Sequence, residues 1–224
     1  MPRFRLVASS YSSRMPNPDP DPYPVPRREN ITGLVLAGGR GTRMGTLDKG
    51  LQDFGGQPMV GHVIARLLPQ VGALLVNANQ NVERYRALGH AVFEDSVGGF
   101  AGPLAGLHTG LLHCQTPWLV TAPCDSPFVP LNLVARLSEA QQRTVSDIVV
   151  PVTGEGAARQ PHPVFCLART SLLLHLSAYL DGGGRKVDTW YSTLLVTEVT
   201  FDDESAFRNI NTLAELNSWA PAAT

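Results

Sequence analysis

Hydrophobic positions divide the chain into two textures. From Ile31 onward, short apolar runs alternate with stretches whose apolar residues recur at helical spacing. The runs Ile31–Ala37, Ala73–Ala78, Ala91–Glu94, Trp118–Ala122, Ile148–Val152, Val164–Leu167 and Leu195–Phe201 read as strands. Several are apolar throughout, as strands buried on both faces are. Between them, Met59–Leu68, Asn81–Leu88, Leu104–Leu112, Leu131–Gln141, Ser171–Leu180 and Thr212–Trp219 read as helices; Thr212 is a good N-cap residue for the last. Strand and helix alternating at these lengths predict an α/β fold of Rossmann-like type, with a mostly parallel central sheet flanked by helices. One domain is expected over residues 31–221.

Residues 1–30 differ. Pro16, Pro18, Pro20, Pro22, Pro24 and Pro26 alternate with small or polar residues, a pattern that disfavours helix and sheet and predicts an extended, solvated tail. No chemistry is visible in this block.

Composition removes several function classes. The formal net charge of -1 lacks the basic excess of a general nucleic-acid binder. No apolar run approaches the roughly 18 residues of a membrane helix, and Leu6-Val7-Ala8 is too short for a signal-peptide core. Cys114, Cys124 and Cys166 form no C-x-x-C pair, so they read as reduced thiols; a cytoplasmic location is expected.

In open α/β sheets, ligands bind beyond the carboxyl ends of the strands. Four such ends carry polar groups or glycines: those after Ala37, Asn77, Glu94 and Ala122. The first leads into Leu36-Ala37-Gly38-Gly39-Arg40-Gly41-Thr42-Arg43-Met44-Gly45, with Asp48-Lys49-Gly50 beyond it. Glycines let a backbone approach a phosphate and aim its N–H groups at it. Arg40, Arg43 and Lys49 add the positive charge that binds phosphates and steadies charge growing at phosphorus. The loop is not a P-loop, because Thr46 rather than Lys follows Gly45. Nor is it a dinucleotide fingerprint, because Met44 stands where the third glycine belongs.

At the other ends, Asp125 closes the run from Trp118. It suits Mg2+, an oxygen-seeking ion that takes further ligands from phosphate and water, but also suits a turn before Pro127. Asp95 by itself reads as a turn or helix-cap carboxylate. The Asn77 amide offers a donor and an acceptor for a base edge or ribose, or simply a turn.

The pattern Leu-Ala-Gly-Gly-x-x-x-Arg-Met-Gly-x-x-Asp-Lys-Gly resembles the nucleotidyltransferases of the sugar-nucleotide-transferase fold. Within that group it is most similar to the molybdenum cofactor guanylyltransferases. The segments Asn77-Ala78-Asn79, Glu94-Asp95 through Gly102-Pro103-Leu104-Ala105-Gly106, Pro123-Cys124-Asp125-Ser126-Pro127, His162-Pro163 and Asn209-Ile210-Asn211-Thr212 extend the likeness over nearly all of Ile31 to Trp219; residues 145–159 add nothing to it.

The resemblance implies that Leu36, Ala37, Gly38, Gly39, Lys49, Asn77, Asp95 and Asp125 bind the nucleotide. It implies that Lys49, Arg43 and Asp125 carry catalysis, with Asp125 holding Mg2+. His162, Asn209, Arg185 and Lys186 are expected at the acceptor. The alternatives are a structural histidine, a helix cap for Asn209 or Asn211, and a solvated tip for the second glycine-rich basic loop, Gly182 to Lys186. The implied reaction moves GMP from GTP to the terminal phosphate of molybdopterin and releases pyrophosphate. GTP and molybdopterin are then the substrates, with transient contacts to molybdenum-insertion proteins or recipient molybdoenzymes. Two other readings fit the same residues. One is a related transferase using CTP or a sugar or polyol phosphate; the other is a non-catalytic carrier of the cofactor.

Overall fold

A computed structural model describes residues 4–7, 23–38, 48–98 and 102–219. In chain order its regular elements are β1 (Phe4–Val7), β2 (Ile31–Leu36), α1 (Met59–Leu67), β3 (Ala73–Asn77), α2 (Val82–Arg86), β4 (Ala91–Phe93), α3 (Pro103–His113) and β5 (Trp118–Pro123). They continue with α4 (Leu133–Thr144), β6 (Ile148–Thr153), β7 (Gln160–Pro161), β8 (Leu167–Arg169), α5 (Leu173–Asp181), α6 (Val187–Tyr191), β9 (Val196–Phe201) and α7 (Leu213–Trp219).

The strands make one sheet in the order β1-β9-β6-β8-β5-β2-β3-β4, with β7 paired to β6. Parallel pairing joins β5, β2, β3 and β4, and again β6 and β9. Between β5 and β6 runs β8, antiparallel to both. Two reversals restore the direction, so β4, β3, β2, β5, β6 and β9 all deliver their carboxyl ends to one edge.

The central strands are apolar throughout because both faces are covered. Every residue of β5 and β6 is buried. On one face Val60, Val63, Ile64 and Leu67 of α1, with Leu133, Val134 and Leu137 of α4, pack against Ile31, Val35, Val120 and Val149. On the other, Leu104, Leu107 and Leu111 of α3 meet Leu176 and Leu180 of α5 and Trp190 of α6 over Leu34, Leu119 and Ile148. Alternate residues of β2 therefore serve opposite cores, as the two-residue period of a strand requires. The outcome is the expected single-domain α/β layering.

Three expectations change. The strand placed at Val164–Leu167 forms instead at Leu167–Arg169. Pro163 has no N–H for a ladder, and Phe165 N closes a turn on His162 O at 2.9 Å. The loop after Gly182 leads into a short helix, α6, that the pattern did not announce. The compositional boundary at residue 30 is not where packing begins. Tyr23 stands edge-on to Trp118 with centroids 5.1 Å apart, and its hydroxyl donates to Pro117 O at 2.8 Å. The fully buried Trp118 needs a partner for its indole N–H and finds it in Pro24 O at 2.6 Å. Phe4–Val7 adds an antiparallel edge strand to β9. No helix among the described residues is long and apolar enough to cross a membrane.

Candidate functional site

The shared carboxyl edge gathers residues distant in sequence. Where β2 ends, Ala37 N donates to Asn77 O at 2.7 Å, and Cys124 N donates to Leu36 O at 3.0 Å. These bonds carry the ladder past the strand ends, so Leu36, Ala37 and Gly38 lie between the segments holding Asn77 and Asp125. Gly39, Arg40 and Arg43 lie outside the described residues.

Lys49 opens a turn of 3-10 helix, Lys49–Leu51. Its ammonium donates to Asn211 Oδ1 at 2.8 Å and lies 3.4 Å from Asp125 Oδ2. The carboxylate and the ammonium are both largely enclosed. Burial pushes the Asp125 carboxyl above its ordinary range, and Lys49 pulls it back only in part. Burial thus disfavours the ionised Asp125 more than Lys49 favours it. Behind it, Ile210 N donates to Asp125 O at 2.8 Å, and the buried Ser126 hydroxyl donates to Asn209 Oδ1 at 2.6 Å. Asn211 is held in turn, its N–H donating to Glu215 Oε2 at 2.8 Å. That bond and the Thr212 N–H at 3.0 Å hold the Glu215 carboxyl below its usual range.

A second cluster lies across β3. Asn77 donates to Asp95 Oδ1 at 2.9 Å and to Phe93 O at 3.2 Å. Its oxygen faces glycine α-carbons: a Cβ on Gly106 would lie 2.5 Å from Asn77 Oδ1, and one on Gly38 would lie 2.8 Å from it. Asn77 is 1% exposed, with both amide hydrogens committed inside the protein. This places it as the support of Asp95 rather than as an open base-reading group. Asn79 completes the clamp, donating to Asp95 Oδ2 at 2.7 Å and Gly38 O at 3.0 Å and accepting from Asp95 N at 2.7 Å.

Beside Asp125 opens a cavity of about 470 Å³ lined by Gln160, His162, Phe207, Arg208, Asn209 and Asn211, among others. His162 stacks on Phe207 at 4.5 Å, and its Nε2 shares a hydrogen bond with Thr153 Oγ1 at 2.8 Å. Burial moves its imidazole below the usual range against the pull of Glu204, so it presents a neutral ring. The cation among these lining residues is Arg208, whose guanidinium lies 4.7 Å from the Trp219 ring. His162 and Asn209 thus line the same cavity. Arg185 and Lys186 do not line the cavity: Arg185 donates to Leu180 O at 2.7 Å and Gly184 O at 2.6 Å, closing the end of α5.

Sequence reasoning missed Asn79, Arg208 and the lysine-binding role of Asn211. Asn79 sits inside the Asn-Ala-Asn segment, and Asn211 inside Asn-x-Asn-Thr, so the motifs held the signal without dividing the labour. Nothing in the sequence marked Arg208.

A divalent ion is testable against this geometry. Among the described residues no group of three or more His, Cys, Asp and Glu side chains could hold a metal. Asp125 supplies one enclosed carboxylate. That fits a hard cation bound through one or two carboxylates that completes its shell with phosphate oxygens and water.

Residues 33–194 match the family described as the MobA-like NTP transferase domain. A molybdenum cofactor guanylyltransferase of Cupriavidus necator is 56% identical over 192 residues, covering 85% of this chain and 96% of that protein. Among solved structures, molybdopterin-guanine dinucleotide biosynthesis protein A of Archaeoglobus fulgidus superposes with a TM-score of 0.65 at 22% identity, covering 84% of this chain and 96% of that one. The 2-C-methyl-D-erythritol 4-phosphate cytidylyltransferase of Thermus thermophilus does so at 0.63 and 20% identity, with the same coverage. The two structural likenesses establish the fold alone and leave the base undecided.

Proposed function

We infer the reaction from membership: the chain belongs to the molybdenum cofactor guanylyltransferases of the MobA-like NTP transferase family, and it is a nucleotidyltransferase. It transfers GMP from GTP to the terminal phosphate of molybdopterin. An acceptor oxygen attacks the α-phosphorus, the bond from that phosphorus to the β-bridging oxygen breaks, and pyrophosphate leaves. The acceptor phosphate is already an anion near neutral pH, so catalysis rests on positioning and on neutralising charge.

The observation that carries this reading is the Lys49 ammonium drawn between Asp125 and Asn211 on the edge where the glycine loop ends. Lys49 would offset charge on the departing pyrophosphate, with Arg43 assigned to the same task from the family motif. Asp125 would hold Mg2+, which supplies positive charge against the nucleotide phosphates. Gly39 and the amides at Leu36 to Gly38 receive the nucleotide, while Asp95, fixed by Asn77 and Asn79, accepts from its base or ribose. The acceptor occupies the neighbouring cavity, with its pterin against His162 and Phe207 and its polar groups near Asn209 and Arg208. Arg185 and Lys186 are left to the rim or to structure.

The test is nucleotide binding and pyrophosphate release with Mg2+, comparing GTP, CTP, ATP and UTP. GTP preferred in binding, with multiple turnovers on molybdopterin, is the expected result. Preference for CTP would move the chain to the cytidylyl branch of the same fold, and stoichiometric binding without turnover would make it a carrier.

A further inference from the structure

Tyr85 of α2 is 0% exposed, yet its hydroxyl is directed at a charged group. It donates to Asp48 Oδ1 at 2.6 Å, and Asn81 Nδ2 donates to Asp48 Oδ2 at 3.1 Å. Asp48 directly precedes Lys49 and occupies the N-cap place of the Lys49–Leu51 turn, but its side chain makes no cap bond there. Both of its oxygens are turned away from its own helix toward α2. Its carbonyl accepts instead from Leu51 N at 3.2 Å and Gln52 Nε2 at 2.9 Å. Beyond Lys49 the chain is wedged: a Cβ on Gly50 would lie 2.6 Å from the Tyr85 hydroxyl and 3.1 Å from Cys124 Cβ and Sγ. The backbone on both sides of Lys49 is therefore fixed between α2 and the end of β5, whose next residue is Cys124 and then Asp125. Burial first, then the acidic groups nearby, push the Tyr85 phenol far above its ordinary range, so it remains a donor.

We propose that Tyr85 is a positioning residue for nucleotidyl transfer, acting through the Asp48 carboxylate to fix the backbone from which the Lys49 ammonium reaches Asp125 and the phosphates. The catalytic part of this assignment rests on the reading of Lys49 given above. The short stretch from Asn77 to Tyr85 thereby holds both halves of the site. Asn77 and Asn79 fix the nucleotide carboxylate Asp95, and Asn81 and Tyr85 fix the lysine.

The chain contains two lysines, Lys49 and the exposed Lys186, so each protein carries its own reference amine. Competitive acetylation of the full folded chain, read by mass spectrometry, reports the Lys49-to-Lys186 labelling ratio without any need for turnover. In the parent protein the largely enclosed Lys49 is expected to be labelled less than Lys186. In Tyr85→Phe, which keeps the ring and removes only the hydroxyl, the ratio is expected to rise at least about threefold, and kcat to fall roughly tenfold, the scale of one hydrogen bond to a charged group. KM for nucleotide and acceptor should stay within about twofold, and the same substitution added to Lys49→Ala should cost nothing further, because contacts that act as a unit are not additive.

Asp48→Ala attacks the same link from its partly exposed end, and it decides the matter if Tyr85→Phe does not fold. An unchanged labelling ratio, or a loss in the Lys49→Ala background equal to that in the parent, overturns the proposal. A parent protein that releases no pyrophosphate with any nucleotide would sink the functional reading instead, and the labelling ratio would still decide what Tyr85 holds.

Discussion

Two loops of this chain look alike in composition and behave differently in the fold. One runs from Gly38 to Lys49 and the other from Gly182 to Lys186; each joins glycines to Arg and Lys. Lys49 bonds to residues 76 and 162 positions further along the chain, Asp125 and Asn211, at the point where the strand ends converge. Arg185 bonds to carbonyls five and one positions back, satisfying the end of α5. The lysine that ends the first loop is used across the fold, and the arginine of the second locally. Glycine and positive charge are thus insufficient to mark a phosphate site; what separates the two is that the first follows a strand end and the second a helix end, and which partners meet each there.

Substitutions can break this contrast. Lys49→Ala and Asp125→Ala should each reduce turnover at least tenfold while the melting transition stays cooperative, since neither contributes to the apolar core; steady-state pyrophosphate release checks this, and near-normal rates in either variant would dissolve the distinction. Asn211→Ala, which leaves Lys49 one acceptor fewer, should fall several-fold in the same assay.

Asp125→Asn sharpens the comparison through pH. The folded protein raises the Asp125 pKa above its unfolded value, so the ionised carboxylate costs stability at neutral pH, and that cost disappears as pH falls through the raised pKa. The variant should therefore melt higher than the parent near pH 7 while being nearly inactive, and the two melting curves should converge in acid. A variant that melts lower at pH 7 would mean that the Lys49 pairing outweighs burial. The smallest effect is reserved for the second loop. Arg185→Ala should change turnover and acceptor KM less than about twofold and cost about 1 kcal/mol of stability through the lost carbonyl bonds. A large rise in acceptor KM would restore this loop to the site.

Much of this was legible in the sequence for physical reasons. Strands β2 and β5 are apolar on both faces, so periodicity located them almost to the residue, and the turn chemistry after Ala37 and Ala122 indicated the ligand edge. The reversal at β8 was hidden because a three-residue buried strand looks the same in either direction. Helix α6 has no side-chain cap to announce it, and its preceding glycines suggested only a loop. Tyr23 was masked by the prolines around it; its place is set by Trp118, 95 residues later, which needs an acceptor and an aromatic edge. In the site, Lys49 and Asp125 stood out as charges at strand ends. Asn79, Tyr85 and Arg208 did not, because their importance lies in distances between segments rather than in residue type.

The packing around Asn77 has a consequence for how this protein can change over generations. Its amide oxygen lies where side chains at Gly38 and Gly106 would begin, and its nitrogen holds Asp95. Enlarging either glycine requires a smaller residue at position 77, and a smaller residue there releases the carboxylate proposed to meet the nucleotide. Single substitutions at these three positions should be nearly all lost under selection for activity, while viable routes need two or three changes together. Drift toward a different nucleotide is more accessible along side chains that face the open cleft, and the three-residue knot behind them would be inherited as a block.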